Sequence, residues 1–573
     1  MKVYVKGTGQ TVDLNQRDFL AGGGQGNVYV RGSTAYKVYH DPNQMIPPGK
    51  FSFLQALDSP QIVRPEQVLI DKTGKPIGYT SRFVPNAHVL CSLFPKSYRE
   101  REGVTHEMVQ ALVRKLQEGV TFVHHGNVLI VDLNEMNFLV SKSYENIYFI
   151  DVDSYETPNY PATALMDSVR DWSVHGGHWT QLSDWFSFGI LSFQMFTGIH
   201  PFKGQYHGPK HEFKGKLPTD ADDDSFAVTR RRMQGNVSVF HSSVGVPTAI
   251  YPWTVIPTQY RAWYEALFSQ GKRLPPPTGF GGAVFYLPMV TATTGTGALE
   301  ITEIGSFDSA VTHLWGCGSQ LVVATRQGVW LDGQHIVPGE PVAGCAVSPR
   351  GGRVVVLAGT RLFNLTDRQA VPFGLQLQQA TSHDGRIYVR TVDQVHEVVL
   401  TDAGKQVIAT TQPVVNILPL ATKLFPGVVI QDMLGSIFVS LLSAPGVARQ
   451  IRVKELDGYK ILDAKFDGGV LMVVGAKKGK YDRLVFRFDA DDSYDVRVVS
   501  GIHLGELNFV TLDSGVCVCL NEEEKLEVFS ARKGSSTLKV IEDKALNGDM
   551  LLGRQGGTVL FARGNKVFKM RMR

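Results

Sequence analysis

The chain has 573 residues, 43% hydrophobic, 10% aromatic and 20% charged. That is the make-up of a globular protein with more apolar material than one ordinary core holds, so roughly two to four domains are expected. Fifty-eight Lys and Arg against 54 Asp and Glu leave a formal charge of +4, too small a surplus to expect nucleic acid or an anionic membrane as partner. The five cysteines (Cys91, Cys317, Cys345, Cys517 and Cys519) form no CxxC pair, which argues against a disulfide scaffold and suits a reducing cytosol. The polar start has no signal-peptide run, and the apolar stretch Trp185 to Ile199 is too short to span a bilayer. A cytoplasmic location is expected.

Up to about residue 277 the texture is mixed. Leu20-Ala21-Gly22-Gly23-Gly24-Gln25-Gly26-Asn27-Val28-Tyr29 reads as a glycine-rich hairpin whose backbone N–H groups could approach phosphate oxygens without Cβ clashes. Lys37 follows on the alternating strand Ala35-Tyr36-Lys37-Val38-Tyr39. The stretch 44–57 contains no Asp or Glu, so any acidic partner for Lys37 must come from elsewhere, with Gln55 a weak substitute. Helical periodicity covers Glu107 to His124. Then Ile130-Val131-Asp132-Leu133-Asn134-Glu135-Met136-Asn137 sets Asp132 and Asn137 between apolar strands, and Phe149-Ile150-Asp151-Val152-Asp153 ends another. An Asp, an Asn and a second Asp on adjacent strand ends suit a hard divalent cation and a hydroxyl to be oriented. Asp184-Trp185-Phe186-Ser187-Phe188-Gly189 opens an apolar helix whose aromatic series reads as core. His175 and His178 lack metal-ligating companions and read as loop. Asp220 to Asp224, followed by Arg230 to Arg232, reads as a solvated loop and helix.

Residues 278–297 are rich in Pro, Gly and Thr and read as a linker. Beyond it, a glycine, an apolar strand, a turn and a second strand recur. Gly318, Gly352, Gly385, Gly427, Gly469, Gly515 and Gly557 lead these units at intervals of 33 to 46 residues. Such a period of hairpins fits the blades of an all-β propeller, seven by this count, over 298–573. The last unit has only two strands after its glycine, so the alternating segment 299–304 is expected to supply an outer strand and close the ring. Cys517 and Cys519 share one strand face and read as core.

The order of elements in the first part resembles the protein-kinase superfamily: glycine loop, strand lysine, D-x4-N loop, metal-binding Asp and D-x-x-S-x-G helix. The wording GGGQGNVY, DLNEMNFLV, IDVDSYE and SDWFSFGILSFQMFTGIHPFKG is similar to divergent kinase-like proteins of bacterial stress-response clusters and tailed phages. The resemblance implies an α+β bilobal fold over 1–277, with lobes of about 1–85 and 86–277, that uses ATP and Mg²⁺. It implies Lys37, Asp132 and Asn134 as catalytic residues and Asn137, Asp151 and Asp153 as metal ligands. Gly22, Gly23, Gly24, Gly26, Val28 and Lys37 would form the nucleotide cradle. Asp184 would brace the catalytic loop, and Arg273 would pair with Asp171. The departures are Val131 in place of the arginine before the catalytic Asp, Asn134 in place of a lysine, and Asp153 in place of a glycine. Phosphoryl transfer to protein Ser or Thr, with the propeller docking a protein partner, is the expectation; a pseudokinase scaffold is the alternative. Host cytoplasm, or a virion if the chain is phage-encoded, is the location so implied.

Overall fold

The computed structural model describes every residue except 209–225, 279–296, 339–340, 405, 478, 503 and 573. Most of the expected linker, and Asp220 to Asp224, therefore lie outside the described residues. The chain divides into two compact units. One is Met1–Val290 with Ala476–Tyr481 and Ser500–Gly505; the other is Thr291–Gly475, Asp482–Val499 and Glu506–Arg573.

The first unit is mixed α/β. Its N-terminal part is a seven-stranded antiparallel sheet built from β1 (Lys2–Val5), β2 (Thr11–Asp13), β3 (Phe19–Gly22), β4 (Gly26–Arg31), β5 (Thr34–Tyr39), β6 (Gln67–Ile70) and β7 (Pro76–Arg82). The strands lie in the order β2-β1-β6-β7-β5-β4-β3. Gly78 lets β7 lie against β5, because a Cβ there would stand 2.0 Å from Lys37 O. A short helix, α1 (Pro48–Gln55), follows β5.

The rest of the unit is mainly helical: α2 (Lys96–Glu102), α3 (His106–His125), α4 (Gln181–Thr197), α5 (Ala227–Gln234) and α6 (Thr258–Phe268). In α3 the buried residues Val109, Leu112, Val113, Leu116, Val120 and Val123 recur at helical spacing, and that stripe faces α4. Helix α4 starts at a capping box between Thr180 and Ser183, ends at Gly198 in the left-handed region, and is buried from Ser183 onward. Its aromatic residues form the core of this part, as the sequence predicts; Phe193 alone meets Phe240, Trp253, Tyr264 and Phe268. Arg232 on α5 departs from the solvated expectation. It is buried and donates to the carbonyls of Lys203, Gly204 and Val237. A small sheet of β8 (His88–Val89), β9 (Phe138–Val140) and β10 (Ile147–Phe149) lies between the helices and frames the loops carrying Asp132 and Asp151.

The second unit is all β. Its described residues form seven four-stranded antiparallel sheets. Six are continuous in sequence and the seventh joins Leu299–Ser306 to Leu551–Gln555, Thr558–Arg563 and Lys566–Met572. The recurring glycines sit in the turn between the first and second strand of each sheet, so each sheet begins one strand before its glycine. That offset corrects the two-strand reading of the last repeat, which has three strands of its own. Its turn holds both Gly556, at φ 56°, and Gly557. Leu299–Ser306 pairs antiparallel with Lys566–Met572, from Leu299 opposite Met572 to Ser306 opposite Lys566, with a bulge near Glu303. Leu299 joins Ile541, Leu552, Phe561 and Met570 in a buried cluster. Cys517 and Cys519 lie together in another, as expected. Among the described residues, no helix is long and apolar enough to cross a membrane.

Candidate functional site

Strand β5 carries Lys37 between two neighbours: its register sets Val28 of β4 on one side and Tyr79 of β7 on the other. The turn holding Gly22, Gly23 and Gly24 is tied to the end of β5, since His40 N–H donates to Gln25 O at 2.9 Å. Gly26 must be glycine, because a Cβ would stand 2.4 Å from Val38 O; a Cβ on Gly24 would meet open space. The turn is held at one end and uncovered at its tip.

Lys37 Nζ donates to Asp153 Oδ2 at 2.6 Å and stands 3.9 Å from Asp151 Oδ1. Tyr39 donates its hydroxyl to the same Asp153 oxygen at 2.6 Å. Burial alone would pull the Lys37 ammonium down, but the carboxylates of Asp153 and Asp151 outweigh it and hold its pKa above the ordinary value. Burial likewise pushes the Asp153 carboxyl up, and Lys37 and Tyr39 bring it below the usual carboxylate range. The acid missing from 44–57 is therefore supplied by Asp153, which is 2% exposed. Gln55 does not substitute for it; its amide donates to Glu66 O at 2.9 Å.

Asp132 sits in a loop held from beneath. Asp184 of α4, itself 1% exposed, accepts the N–H groups of Ile130 and Val131, each at 2.8 Å, and His124 Nε2 at 2.9 Å. These bonds fix Val131 at φ 64°, a left-handed conformation that a β-branched residue adopts only when its surroundings impose it. Asn137 Nδ2 donates to Asp132 O at 3.0 Å and to Oδ2 at 3.3 Å, and Met166 N–H donates to Oδ1 at 2.8 Å. Burial pushes the Asp132 carboxyl above its usual range despite these bonds, and the charge of Asp151 adds to the push.

Ile150 N–H donates to Asn137 O at 2.9 Å, which sets Asn137 beside Asp151. Asp151 stands at φ 55° with its side chain 57% exposed. One open carboxylate and one neighbouring amide oxygen are hard donors of the kind magnesium takes. Among the described residues, no group of three or more His, Cys, Asp or Glu could hold a metal by itself, so a cation here would need further oxygens from a ligand such as phosphate. Asp153 faces Lys37 and Tyr39. Asn134 is buried and accepts Met136 N–H at 2.8 Å, capping a short turn.

Arg273 and Asp171 form the expected pair, with two bonds of 2.6 and 2.7 Å. Burial would raise the Asp171 carboxyl, but Arg273 and Ser173 hold it below the usual range. His175 and His178 lie in an exposed loop. Two surface cavities of this unit, about 560 and 470 Å³, lie elsewhere: one against α3 by Arg114 and Phe122, the other beside the β1–β2 turn. Sequence reasoning missed Tyr39, although it lies two residues from Lys37 on the same strand face, and His124, which no local pattern marks. No protein-family model matches the chain, and no curated protein shows significant similarity to it.

Proposed function

We propose that residues 1–277 form a bilobal, protein-kinase-like phosphotransferase acting on protein Ser or Thr hydroxyls. Residues 299–572 would form a seven-bladed β-propeller that docks its protein partner. The meeting of Lys37 with Asp151 and Asp153 carries this reading: it brings a cation from beside the glycine turn to the acids expected to serve a metal. Mg-ATP, when bound, supplies the phosphoryl group and the cation that offsets charge on it. Gly22 to Gly26 present peptide groups to phosphate, and Val28 lies beside them as part of the cradle. Lys37 moves from Asp153 to phosphate oxygens, while Asn137 and Asp151 offer oxygens to the metal. Asp132 orients the attacking hydroxyl and takes its proton as the new O–P bond forms and the bond to the ADP oxygen breaks. Asp184 keeps the loop in register, Asn134 caps its turn and Asp153 serves the lysine.

Support for the propeller comes from its strand neighbours. Val311–Cys317 lies beside Val342–Val347 in one direction and beside Leu551–Gln555 in the other, so the series of sheets returns on itself. The test is a thermal-shift titration with ATP and Mg²⁺, followed by an assay for ADP formation with candidate protein substrates. Wild type should bind at or below ~1 mM ATP, within the ordinary range for enzyme substrates, and Asp151→Asn should weaken that binding. No binding by wild type would sink the enzyme reading and leave a scaffold.

A further inference from the structure

Helix α1 carries a buried lysine that the proposed chemistry does not use. Lys50 is 1% exposed, and Pro161 O at 3.3 Å is the acceptor it reaches. The helix bearing it lies against the turn Val152–Ser154. The same helix meets Tyr160 farther along the segment, where a Cβ on Gly49 would stand 2.2 Å from Tyr160 Oη. The Asp153 carboxylate in the 152–154 turn is unevenly served: Lys37 and Tyr39 share Oδ2 and the Tyr79 hydroxyl also acts on the carboxylate, while buried Oδ1 makes no bond of good geometry. Burial pulls the Lys50 ammonium below its ordinary pKa, and the charges of Asp153 and then Glu156 act against that pull. The ammonium, with three donors and one long bond to Pro161 O, sits on the helix packed against that turn and feels the charge of Asp153.

We propose that Lys50 is a second positioning lysine, which takes over the Asp153 carboxylate when Lys37 turns to the nucleotide phosphates and so keeps α1 seated on the 152–161 segment. This rests on the phosphotransferase reading. A buried Asp153 that lost its only cation would be an uncompensated charge, a costly arrangement. Lys50 is placed to prevent it.

The first test needs no nucleotide. Lys37→Met imitates withdrawal of the first lysine, and thermal unfolding of the full chain is compared for wild type, K37M, K50M and K37M/K50M. The K50M loss in thermal midpoint should be about twice as large in the K37M background as in wild type, because Asp153 then has neither cation. Lys50→Arg should restore the midpoint in both backgrounds, whereas Lys50→Gln, a milder change should K50M fail to fold, should behave as K50M. Equal losses in the two backgrounds would overturn the proposal, whether or not ATP binds. The second test is kinetic: K50M should lower kcat about tenfold with KM for Mg-ATP changed less than about twofold, and K50R should recover it. An unchanged kcat, or no recovery with K50R, would also overturn it. Failure of wild type to bind Mg-ATP would sink the enzyme reading, while the unfolding comparison would still decide the role of Lys50.

Discussion

The two units use left-handed backbone differently. In the β unit, left-handed residues other than glycine stand at turns, several directly before a glycine: Asp332 before Gly333, Asp384 before Gly385, Leu434 before Gly435. There the conformation follows from a tight hairpin and could be met by many sequences. In the mixed unit, Val131 and Asp151 take the same conformation with no glycine beside them, and both belong to loops that carry the candidate chemistry. Val131 is held by the Asp184 bonds to its own and its neighbour's amide. Turns account for such residues throughout the β unit and for Asn86, Asn127, Tyr144 and Asn236 of the mixed unit; at Val131 and Asp151 the irregular backbone aims side chains instead.

The largest effect expected from breaking this contrast is on catalysis. Asp132→Asn should cut the proposed phosphoryl transfer by about 10²- to 10⁴-fold while leaving Mg-ATP affinity nearly intact, because that proposal makes Asp132 the proton acceptor and leaves the metal to Asn137 and Asp151. An equal loss of affinity in a binding titration would show that Asp132 serves the nucleotide instead. Next is Asp184→Ala, which strands the buried amides of Ile130 and Val131 and the ring of His124. It should lower the stability of the mixed unit by about 3 kcal/mol or more, as judged from several lost bonds to a buried carboxylate. Calorimetry should show the change in that unit's transition and leave the transition of the β unit in place.

How legible was this arrangement? Asp132, Asn137, Asp151, Lys37 and Asp184 could be picked out because their spacing along the chain is itself informative, and the Arg273–Asp171 pair was named from sequence. Asp153 was visible as an extra acid, but its partner was not. Lys37 lies far from it in sequence, and only the tertiary fold determines which carboxylate a buried lysine meets. Met166 contributes a backbone N–H, which no side-chain pattern can announce. In the β unit the glycine period was readable because left-handed turns demand it. The strand before each glycine was harder to assign, since a first strand looks like any other apolar run.

A third prediction bears on both units. His200 Nδ1 accepts Phe202 N–H at 3.1 Å and Nε2 meets Ser168 O at 2.8 Å, so the folded site suits a neutral ring. Burial lowers its pKa from 6.5 to about 3. Burial also lowers His383 of the β unit, to about 4. Both values lie below the unfolded value, so the unfolded chain binds these protons first. Stability is complete above about pH 6.5 and should fall by up to about 1.4 kcal/mol per pH unit per histidine below it. Unfolding at pH 7.5 and 5.5 measures the loss, and His200→Gln should make it shallower for the mixed unit alone. The smallest effect is a gain. Leu434 is half exposed at φ 57°, and Leu434→Asn should stabilise the β unit by about 0.5–1 kcal/mol, because asparagine tolerates that conformation better. No gain in denaturant unfolding would mean that the turn holds little strain.

The pairing of Leu299–Ser306 with Lys566–Met572 also bears on how the chain is made. On the ribosome, the strand at 299 emerges long before its partner and waits with an unpaired edge while six sheets assemble after it. The joining step pairs strands far apart in the sequence, so it should come late and be slow compared with the hairpins around it. A stop codon that removed only the last strand would leave six sheets with all their residues. It would still deprive residue 299, near the opposite end of that unit, of the neighbour against which it folds.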